Sequence, residues 1–429
     1  FAIGDGVRKA AVSQLSIEQI RAAVEAGRAD AEQFLCELIR FPSTPGNETE
    51  AMACAARRFG ELAEVERVPL SNALREDEDY ADPVPNLDYE GRFNLRLRLP
   101  GKGGGRSLLF NTHLDVVPPS QGQESPWDPR VDAGVVRGRG ACDAKGQAAA
   151  LYLALWAIRR LGLKLDGDLL GHLVVEEEVG GNGTLAMVRR GEKADACVVM
   201  EPTDLRIFSS VRGAVWFRVT CTGRPGHSGR AGDTVSALKM AIRVVEILEG
   251  YHARLLASSR GFPLFDPFPN PMPITFGKLQ AGDWPATAPS RAVVEGVLGL
   301  LPNKTRYQVM EEMRQAILDE GDEWLREHFE LEFMYRHDAH VLDVAHPLVT
   351  QLQACCREVG AAGEVTAMTA SCDSWFYNNQ LGIPTVVFGP GSLGFAHSNE
   401  EQIRMDEIVD AAAVLVRLAE SWCVRERGA

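Results

Sequence analysis

Four short apolar runs along this chain each lead into acidic or histidine side chains. They lie at residues 107–110, 172–175, 197–200 and 385–388 and consist mainly of Val, Leu and Phe. Runs of this kind are typical of buried parallel strands. Because ligands bind in the crevice at the carboxyl ends of such strands, we expect the side chains that follow the runs to converge there.

The polar side chains in question have the chemistry of a metal site. In chain order they are His113, Asp115, Asp143, Glu177, Glu178, Glu201 and His397. Asp143 differs from the rest in position, since it lies in a glycine-rich turn that leads into a helix. Two imidazoles and several carboxylates in one crevice can hold two divalent ions, which is the arrangement of metal-assisted hydrolysis.

The rest of the pattern predicts two domains. Helical periodicity predicts helices over 16–38, 49–63, 145–162, 346–359 and 405–422. Between 211 and 331, strand-like and helical runs follow a β-α-β-β-α-β order, which forms a ferredoxin-like sandwich by itself. We therefore predict an α/β protein whose catalytic domain is interrupted by an inserted α+β domain, with segments 1–210, 211–332 and 333–429.

Length, charge and cysteine usage narrow the class of protein. A chain of 429 residues exceeds one ordinary core, which agrees with two domains. The formal net charge of −14 argues against nucleic acid or an anionic membrane as partner. No apolar stretch approaches the roughly 18 residues that span a bilayer, and the start of the chain lacks a signal-peptide pattern. Nine cysteines without CxxC pairs fit reduced thiols, so we expect a cytoplasmic protein that acts on a small molecule.

Local spacing suggests how the candidate ligands divide their work. Asp115 can accept a hydrogen bond from the second ring nitrogen of His113 and so orient a metal ligand. The same HxD spacing also occurs around structural histidines, and Asp143 by itself fits a helix N-cap as well. The adjacent carboxylates of Glu177 and Glu178 suit a pair in which one binds metal and the other accepts a proton from activated water.

Three further histidines need separate interpretations. His227 lies in the glycine-flanked loop 223–234 without a nearby carboxylate, so a donor that stabilises an oxyanion fits it better than a metal ligand. His337 and His340 have metal-like spacing, but they lack acidic partners at a strand end. We therefore favour surface or core packing for that pair.

Six motifs in a fixed order cover nearly the whole chain. They read THLDVVP, GRGACDAKGQ, EEEVGGNGT, MEPTD, GRPGHSG and FGPG…AHSNEEQI. Together they resemble the aminoacylase, acetylornithine deacetylase, succinyl-diaminopimelate desuccinylase and carboxypeptidase G family of dinuclear metallopeptidases. The resemblance implies a zinc-peptidase-like catalytic domain, with a mixed and mostly parallel sheet flanked by helices, and an inserted ferredoxin-like dimerisation domain.

The resemblance also implies a ligand set. It groups His113, Asp143 and Glu178 around one metal-rich centre with Asp143 as the bridge, and Glu201 and His397 complete it. Nitrogen and oxygen ligands without thiolates allow zinc, manganese or cobalt. Of these we expect zinc, with two divalent ions per subunit.

The remaining implied roles concern catalysis. Glu177 becomes the general base, Asp115 orients His113, and His227 is a substrate-facing donor that the partner subunit of a homodimer supplies. We therefore predict a hydrolase that cleaves an amide C–N bond of a small molecule with metal-activated water. Two alternatives stay open at this point: an aminohydrolase that releases ammonia from an amine- or ureido-type substrate, and a metal-binding protein without catalysis.

The sequence departs from its relatives where they typically clasp a substrate carboxylate. Thr275 stands where relatives commonly carry Asn, Gly299 where they carry Arg, and Trp375 at the Arg position of a third motif. These departures argue against N-acyl amino acid and N-succinyl substrates, and the ring of Trp375 favours a flat or apolar substrate. Candidate substrate contacts are Trp375, Thr275 and Arg291.

Overall fold

Regular elements fill most of the chain in this computed structural model, which describes residues 15–229 and 232–424. Its helices are α1 (Ile17–Ile39), α2 (Thr49–Gly60), α3 (Lys145–Arg160), α4 (Asn182–Arg189), α5 (Ala237–Ser258), α6 (Arg306–Glu320), α7 (Glu323–Glu327), α8 (Pro347–Val359) and α9 (Met405–Trp422). Its strands are β1 (Glu64–Pro69), β2 (Phe93–Leu99), β3 (Leu108–His113), β4 (Arg130–Asp132), β5 (Val135–Arg137), β6 (Leu169–Val174), β7 (Cys197–Val199), β8 (Ile207–Val211), β9 (Gly213–Thr222), β10 (Gly226–His227), β11 (Ile274–Ala281), β12 (Thr287–Ala288), β13 (Arg291–Leu300), β14 (Phe329–His337), β15 (His340–Val341), β16 (Val365–Met368), β17 (Thr385–Val387) and β18 (Gln402–Arg404). Two residues of the predicted glycine-flanked loop, Arg230 and Ala231, lie outside the described residues.

The four apolar runs form the centre of one large sheet. Their strands lie in the order β6-β3-β7-β17, and each neighbouring pair is parallel. Every residue of these four strands is buried, so both faces of the central sheet are covered. The carboxyl ends of the strands therefore open on one edge, as the pattern predicts. Antiparallel strands β1 and β2 extend the sheet beyond β6, and β8 and β15 extend it beyond β17.

Helices bury the large sheet on both sides. α3 packs against α1, α9 and β3, while α4 contacts β6 and α8 contacts β8. α3 is alanine-rich, and such small side chains let helices approach closely. At Gly27 of α1, an added Cβ would lie 2.7 Å from Leu153 of α3, so the pair of helices has no room for a larger residue there.

The inserted segment forms a separate sandwich. Its four-stranded antiparallel sheet has the order β11-β13-β9-β14, and α5 and α6 pack on one face. In chain order the elements read β9-α5-β11-β13-α6-β14, which is the predicted β-α-β-β-α-β pattern. The predicted fold class is thus confirmed. The exact segment boundaries stay a prediction, and β14 continues past 332 to His337.

The two faces of the inserted sheet differ in character. Along β9, Val215, Phe217 and Val219 point into the core beneath α5, because side chains alternate along a strand. Trp216 and Arg218 point to the face that α5 and α6 leave uncovered. We refer to this second surface as the helix-free face.

Bulk properties of the structure agree with the sequence. All nine cysteines are free and buried. Among the residues described, no helix combines the length and the apolarity needed to cross a bilayer.

Candidate metal centre

The candidate ligands converge at one edge of the large sheet. His113 is the last residue of β3, Glu177 and Glu178 follow β6, and Glu201 follows β7. His397 lies in the loop after β17, so His113 and His397 meet there although they are far apart in the chain. This convergence is what the apolar runs predict.

Asp143 lies at the middle of the cluster. Its Oδ1 is 3.1 Å from Nε2 of His113, and its Oδ2 is 3.3 Å from Nε2 of His397. The two oxygens of one carboxylate thus face two different imidazoles. That is the geometry of a carboxylate that bridges two ions.

The other two acidic ligands divide between the two sides of Asp143. Oε2 of Glu178 lies 3.0 Å from Nε2 of His397, whereas Oε2 of Glu201 lies 3.8 Å from Nε2 of His113. Potential ligand atoms of His113, Asp143 and Glu178 also lie within 4.8 Å of one another. The side chains therefore suit two neighbouring ions that share Asp143.

Glu177 differs from its neighbours in its contacts. Its Oε2 is 4.0 Å from Nε2 of His113, and its carboxylate accepts no hydrogen bond from the described residues. A second group of potential ligand atoms combines Glu177 with His113 and Glu201. The carboxylate of Glu177 thus lies beside the cluster while its oxygens stay available.

The side chain of Asp115 binds the glutamate turn, whereas its backbone contacts His113. Its two carboxylate oxygens accept hydrogen bonds from the backbone N–H groups of Glu177 and Glu178, each at 3.1 Å. Nδ1 of His113 lies 3.0 Å from the backbone carbonyl of Asp115 and 3.4 Å from its Oδ1. The backbone of Asp115 therefore orients the imidazole, and its side chain holds the two glutamates in register.

A residue that the sequence pattern does not single out holds the Asp143 turn. Glu401 accepts hydrogen bonds from the backbone N–H groups of Cys142 and Asp143, each at 3.1 Å. Arg139 neutralises it at 2.6 Å. Its signal in the sequence is weak, because Glu401 is one of several acidic residues after His397 and its partners lie more than 250 positions away.

The first of the three consecutive glutamates has a different environment. Glu176 is fully buried, and Arg92 lies 2.6 Å from it. The Tyr89 hydroxyl donates to Glu176 at 2.7 Å, and Arg92 also binds Glu48 at 2.8 Å. Glu176 is therefore satisfied by a guanidinium of the protein itself.

The carboxylates of the cluster raise one another's proton affinity. Burial, together with neighbouring carboxylates, raises the pKa of Glu178 and of Glu201 to about 7 and that of Glu177 well above its usual range. Although burial opposes it, hydrogen bonds from both imidazoles lower the pKa of Asp143. Although burial opposes it, hydrogen bonds to Asp143 and Glu178 raise the pKa of His397 to about 11. Without cations, protons must neutralise this site.

The donor set fits divalent ions. It offers imidazole nitrogen and carboxylate oxygen atoms within ligand distance of one another and no thiolate. Buried carboxylates that lack an arginine or lysine partner are costly unless a cation receives them. The residues present therefore suit zinc, manganese or cobalt in place of protons.

A further buried acid lies behind the cluster. Asp373 is 1% exposed, and the Thr184 hydroxyl donates to its Oδ2 at 2.5 Å. An added Cβ at Gly181, in the loop that follows the glutamates, would lie 2.4 Å from its other oxygen. Burial raises the pKa of Asp373 to about 7. Sequence inspection places this residue in SCDSW but does not indicate its burial.

The candidates in the inserted domain lie outside this cluster. His227 is exposed on β10, and its Nδ1 accepts a hydrogen bond from the Gly229 N–H at 3.1 Å. Thr275 on β11 and Arg291 at the start of β13 are also exposed. Within the described part of the chain, none of the three shares a hydrogen bond or ion pair with the metal ligands. Their predicted roles stay predictions.

Trp375 lies inside the protein. It is 4% exposed and stacks on His337, with ring centroids 4.5 Å apart, and it contacts Phe376 edge-on. The guanidinium of Arg306 lies 4.9 Å from its ring centroid. These neighbours occupy the ring, so direct contact between Trp375 and a substrate needs a rearrangement, and it stays a prediction.

The remaining histidine pair is part of the packing. His337 and His340 are 2% and 3% exposed. His340 Nδ1 lies 3.2 Å from the Ser374 hydroxyl, and no cluster of potential metal ligands among the described residues includes either ring. This placement agrees with the core packing that we favour for the pair.

Comparisons with known proteins agree with the fold. The family model described as peptidase family M20/M25/M40 matches residues 109–421. The chain is 28% identical over 368 residues to the N-formyl-4-amino-5-aminomethyl-2-methylpyrimidine deformylase of Bacillus subtilis, covering 79% of this chain and 85% of that protein. It is 29% identical over 351 residues to the acetylornithine deacetylase of Myxococcus xanthus, covering 79% and 86%. The structure of the di-peptidase Dug1p from Saccharomyces cerevisiae has a TM-score of 0.77 at 13% identity, covering 95% of this chain and 98% of that one.

Proposed function

Because this chain belongs to peptidase family M20/M25/M40 and is a metal-dependent hydrolase of amide C–N bonds, we propose that it removes a small acyl group from an amine that carries an aromatic or heteroaromatic ring. The family match confirms the resemblance seen in the six motifs. The pyrimidine deformylase supports an aromatic substrate by its name. The departures at Thr275, Gly299 and Trp375 support it independently, because they remove groups that suit a carboxylate.

One observation carries the proposed hydrolysis. The Asp143 carboxylate faces both imidazoles, and the Glu177 carboxylate lies beside them without a hydrogen bond from the described residues. We assign His113, Asp143 and Glu201 to one divalent ion, and Asp143, Glu178 and His397 to the second. Zinc is the metal we propose, with manganese and cobalt as alternatives. When bound, such ions polarise an amide carbonyl and lower the pKa of water towards about 7.

Glu177 performs the proton transfers in this proposal. Its carboxylate takes a proton from the attacking water, the water oxygen bonds to the amide carbon, and the C–N bond breaks. Glu177 then delivers the proton to the leaving nitrogen, so the products are a carboxylic acid and a free amine. Asp115 supports this step because it holds the backbone of Glu177 and Glu178.

The inserted domain suggests a homodimer. His227 is exposed and β11 is an edge strand that pairs only with β13 within the described residues. A two-fold interface at this edge would cover β11 and bring His227 to the crevice of the partner, where an imidazole can stabilise an oxyanion. The nine free cysteines support a reducing compartment, so we propose a cytoplasmic location.

A substrate screen tests the proposed reaction. Metal-loaded protein is incubated with N-formyl-4-amino-5-aminomethyl-2-methylpyrimidine and with N-acetylornithine, and free amine and ammonia are measured in parallel. We expect free amine from the pyrimidine amide and little from N-acetylornithine. Preference for N-acetylornithine contradicts the aromatic substrate, and release of ammonia without free amine supports the aminohydrolase alternative instead.

Subunit exchange tests the role of His227. His227→Ala and Glu177→Ala are each expected to be inactive alone. Mixed under conditions that exchange subunits, they should regain activity, because each heterodimer contains one site with both residues. If exchange is demonstrated by a tagged subunit and no activity returns, His227 does not act across the interface.

A further inference from the structure

The helix-free face of the inserted sheet presents an aromatic pair beside the metal centre. Trp216 on β9 is half-buried and stacks on Tyr335 of β14, with ring centroids 5.4 Å apart and an interplanar angle of 20°. The two rings face each other because Trp216 and Tyr335 pair in the register of the two strands. Tyr335 is 4% exposed, so Trp216 is the flat apolar ring of the pair that a ligand can reach.

Tyr335 connects Trp216 to the metal centre. An added Cβ at Gly180, three positions after Glu177, would lie 3.0 Å from the Tyr335 ring. The Tyr335 hydroxyl donates to Ser371 at 2.9 Å, in the loop that carries Asp373. Burial, and then the charge of Glu177, raises the pKa of Tyr335 well above its usual range, which reflects the same proximity.

Arg212 lies where the two sheets join, between β8 and β9. Its Nε donates to the carbonyl of Thr369 and its Nη1 to the carbonyl of Gly213 at 3.0 Å. Gly299 lets the guanidinium approach β13 closely, since an added Cβ there would lie 3.0 Å from Nη1 and 2.7 Å from Cα of Met272.

The remaining nitrogen of Arg212 is available. Nη2 has no hydrogen-bond partner among the described residues and is not fully buried, so it can still receive an acceptor from solution. No carboxylate in the described part of the chain pairs with this guanidinium, and burial lowers the pKa of Arg212 to about 10. A cation in such surroundings is costly unless a ligand supplies an acceptor.

We propose that Arg212, Trp216 and Tyr335 form the subsite that determines specificity for a planar ring carrying a hydrogen-bond acceptor. The ring of the substrate packs on Trp216, which the buried Tyr335 supports from behind, and Nη2 of Arg212 donates to the acceptor atom of the ring. This inference rests on the proposed acyl-amine hydrolysis and identifies the residues that recognise the amine part of the substrate.

Binding of three matched amides tests the subsite. The whole chain is used in its metal-loaded form with Glu177→Gln, so that bound substrate is not consumed. Calorimetry measures N-formyl-4-amino-5-aminomethyl-2-methylpyrimidine, N-formylbenzylamine and N-formylbutylamine, which offer a ring with acceptors, a ring without acceptors, and no ring. All variants are made in this background.

Each substitution should remove one kind of recognition. Arg212→Met should weaken binding of the pyrimidine roughly 10- to 100-fold and leave N-formylbenzylamine unchanged, since a hydrogen bond from a charged donor is lost. Trp216→Ala should weaken both ring amides about 10-fold and spare N-formylbutylamine. Arg212→Lys, which keeps the charge, should give a smaller loss and replaces Arg212→Met if that variant does not fold.

Two control variants match these changes. Arg218 lies on the same face but already pairs with Glu295 at 2.7 Å. Trp324 of α7 stacks on His328 and donates to the carbonyl of Thr222, at the opposite end of β9 from Arg212. Arg218→Met and Trp324→Ala should leave the order of the three affinities unchanged.

The outcomes separate the subsite from the proposed function. If the parent protein binds the amides and Arg212→Met keeps the preference for pyrimidine over benzyl, the subsite is wrong while acyl-amine hydrolysis stands. The same holds if Arg218→Met abolishes that preference equally well. If the metal-loaded parent binds none of the three amides, the proposed substrate class fails and the subsite fails with it.

Discussion

Two buried acidic regions meet at the turn that carries Glu176, Glu177 and Glu178. On one side, Glu176 and Glu48 share the guanidinium of Arg92 at 2.6 and 2.8 Å. On the other side, Glu177 and Glu178 face carboxylates and imidazoles, with no arginine or lysine in contact among the described residues.

The difference between the two regions shows what each is built for. A buried carboxylate needs a counterion, and on the Glu176 side the chain supplies one that stays in place. On the Glu177 side it supplies only two imidazoles, which can exchange a proton for a metal ion. Within one turn, Glu176 therefore contributes to packing, whereas Glu177 and Glu178 contribute to the chemistry of the site.

The largest effect should come from removal of the bridging carboxylate. Asp143→Ala takes away the carboxylate whose two oxygens face both imidazoles, so both ions should be lost together with all measurable hydrolysis. Elemental analysis of the dialysed protein measures the metal content, and Asp128→Ala, in a surface loop, is the control. Two equivalents of metal in Asp143→Ala would contradict the bridging assignment.

A second test separates the adjacent glutamates. Glu177→Gln should keep its metal and lose about 100- to 10,000-fold in turnover, which is the scale of a positioned general base. Glu178→Gln should instead weaken metal binding, because Glu178 contacts His397 at 3.0 Å. Turnover and metal content are measured for both variants. The opposite result would mean that the two roles are exchanged.

Stability should respond on the other side of the turn. Arg92→Met leaves Glu48 and Glu176 buried without a cationic partner, so the free energy of unfolding should fall by about 3–5 kcal/mol. Arg98→Met, on β2 shortly after Arg92, is the control, because its pairs with Glu64 and Asp168 are exposed to solvent and contribute little to stability. Denaturant unfolding of metal-loaded protein measures both. Equal losses in the two variants would remove the contrast between the regions.

Asp115→Asn should have a smaller effect that falls on metal binding. Its carboxylate accepts hydrogen bonds from the backbone of Glu177 and Glu178, and an amide can accept only with its oxygen. Loss of a residue that orients metal ligands typically reduces metal affinity or activity about 10- to 100-fold. A metal titration checks this, with Asp132→Asn on exposed β4 as the control. Unchanged affinity would show that the glutamate turn holds its shape without Asp115.

The sequence predicts one region far better than the other. The strands β3, β6, β7 and β17 and the ligands beyond them follow from apolar runs and the residues next to them, which are local signals. The partner of Glu176 is not local, since Arg92 precedes it by more than 80 residues and nothing in the pattern connects them.

The same distinction explains the other positions that sequence inspection leaves open. Glu401 holds the Asp143 turn through contacts that only the folded chain creates. Trp375 occupies a position that suggests substrate contact, yet its ring packs on His337 because β14 and the segment after β16 come together in space. For Trp216, alternation along β9 does predict the face of the sheet on which the ring lies, but it does not predict which residues surround the ring.

The smallest expected effect is a change in the pH dependence of stability, and it concerns buried histidines instead of carboxylates. His113 and His397 lie among acids, whereas burial lowers the pKa of His337 to about 3 and that of His340 to about 4. Between pH 6.5 and 4 the unfolded chain therefore binds protons that these two buried rings do not. Their contribution to stability is complete above pH 6.5 and is lost as the pH falls towards 4, at about 1.4 kcal/mol per pH unit for each ring. His337→Phe, which keeps a flat ring between Tyr335 and Trp375, should make the decline of unfolding free energy less steep by about that amount. Denaturant unfolding at several pH values measures the slope, and a slope equal to that of the parent would show that His337 takes up a proton in the folded protein.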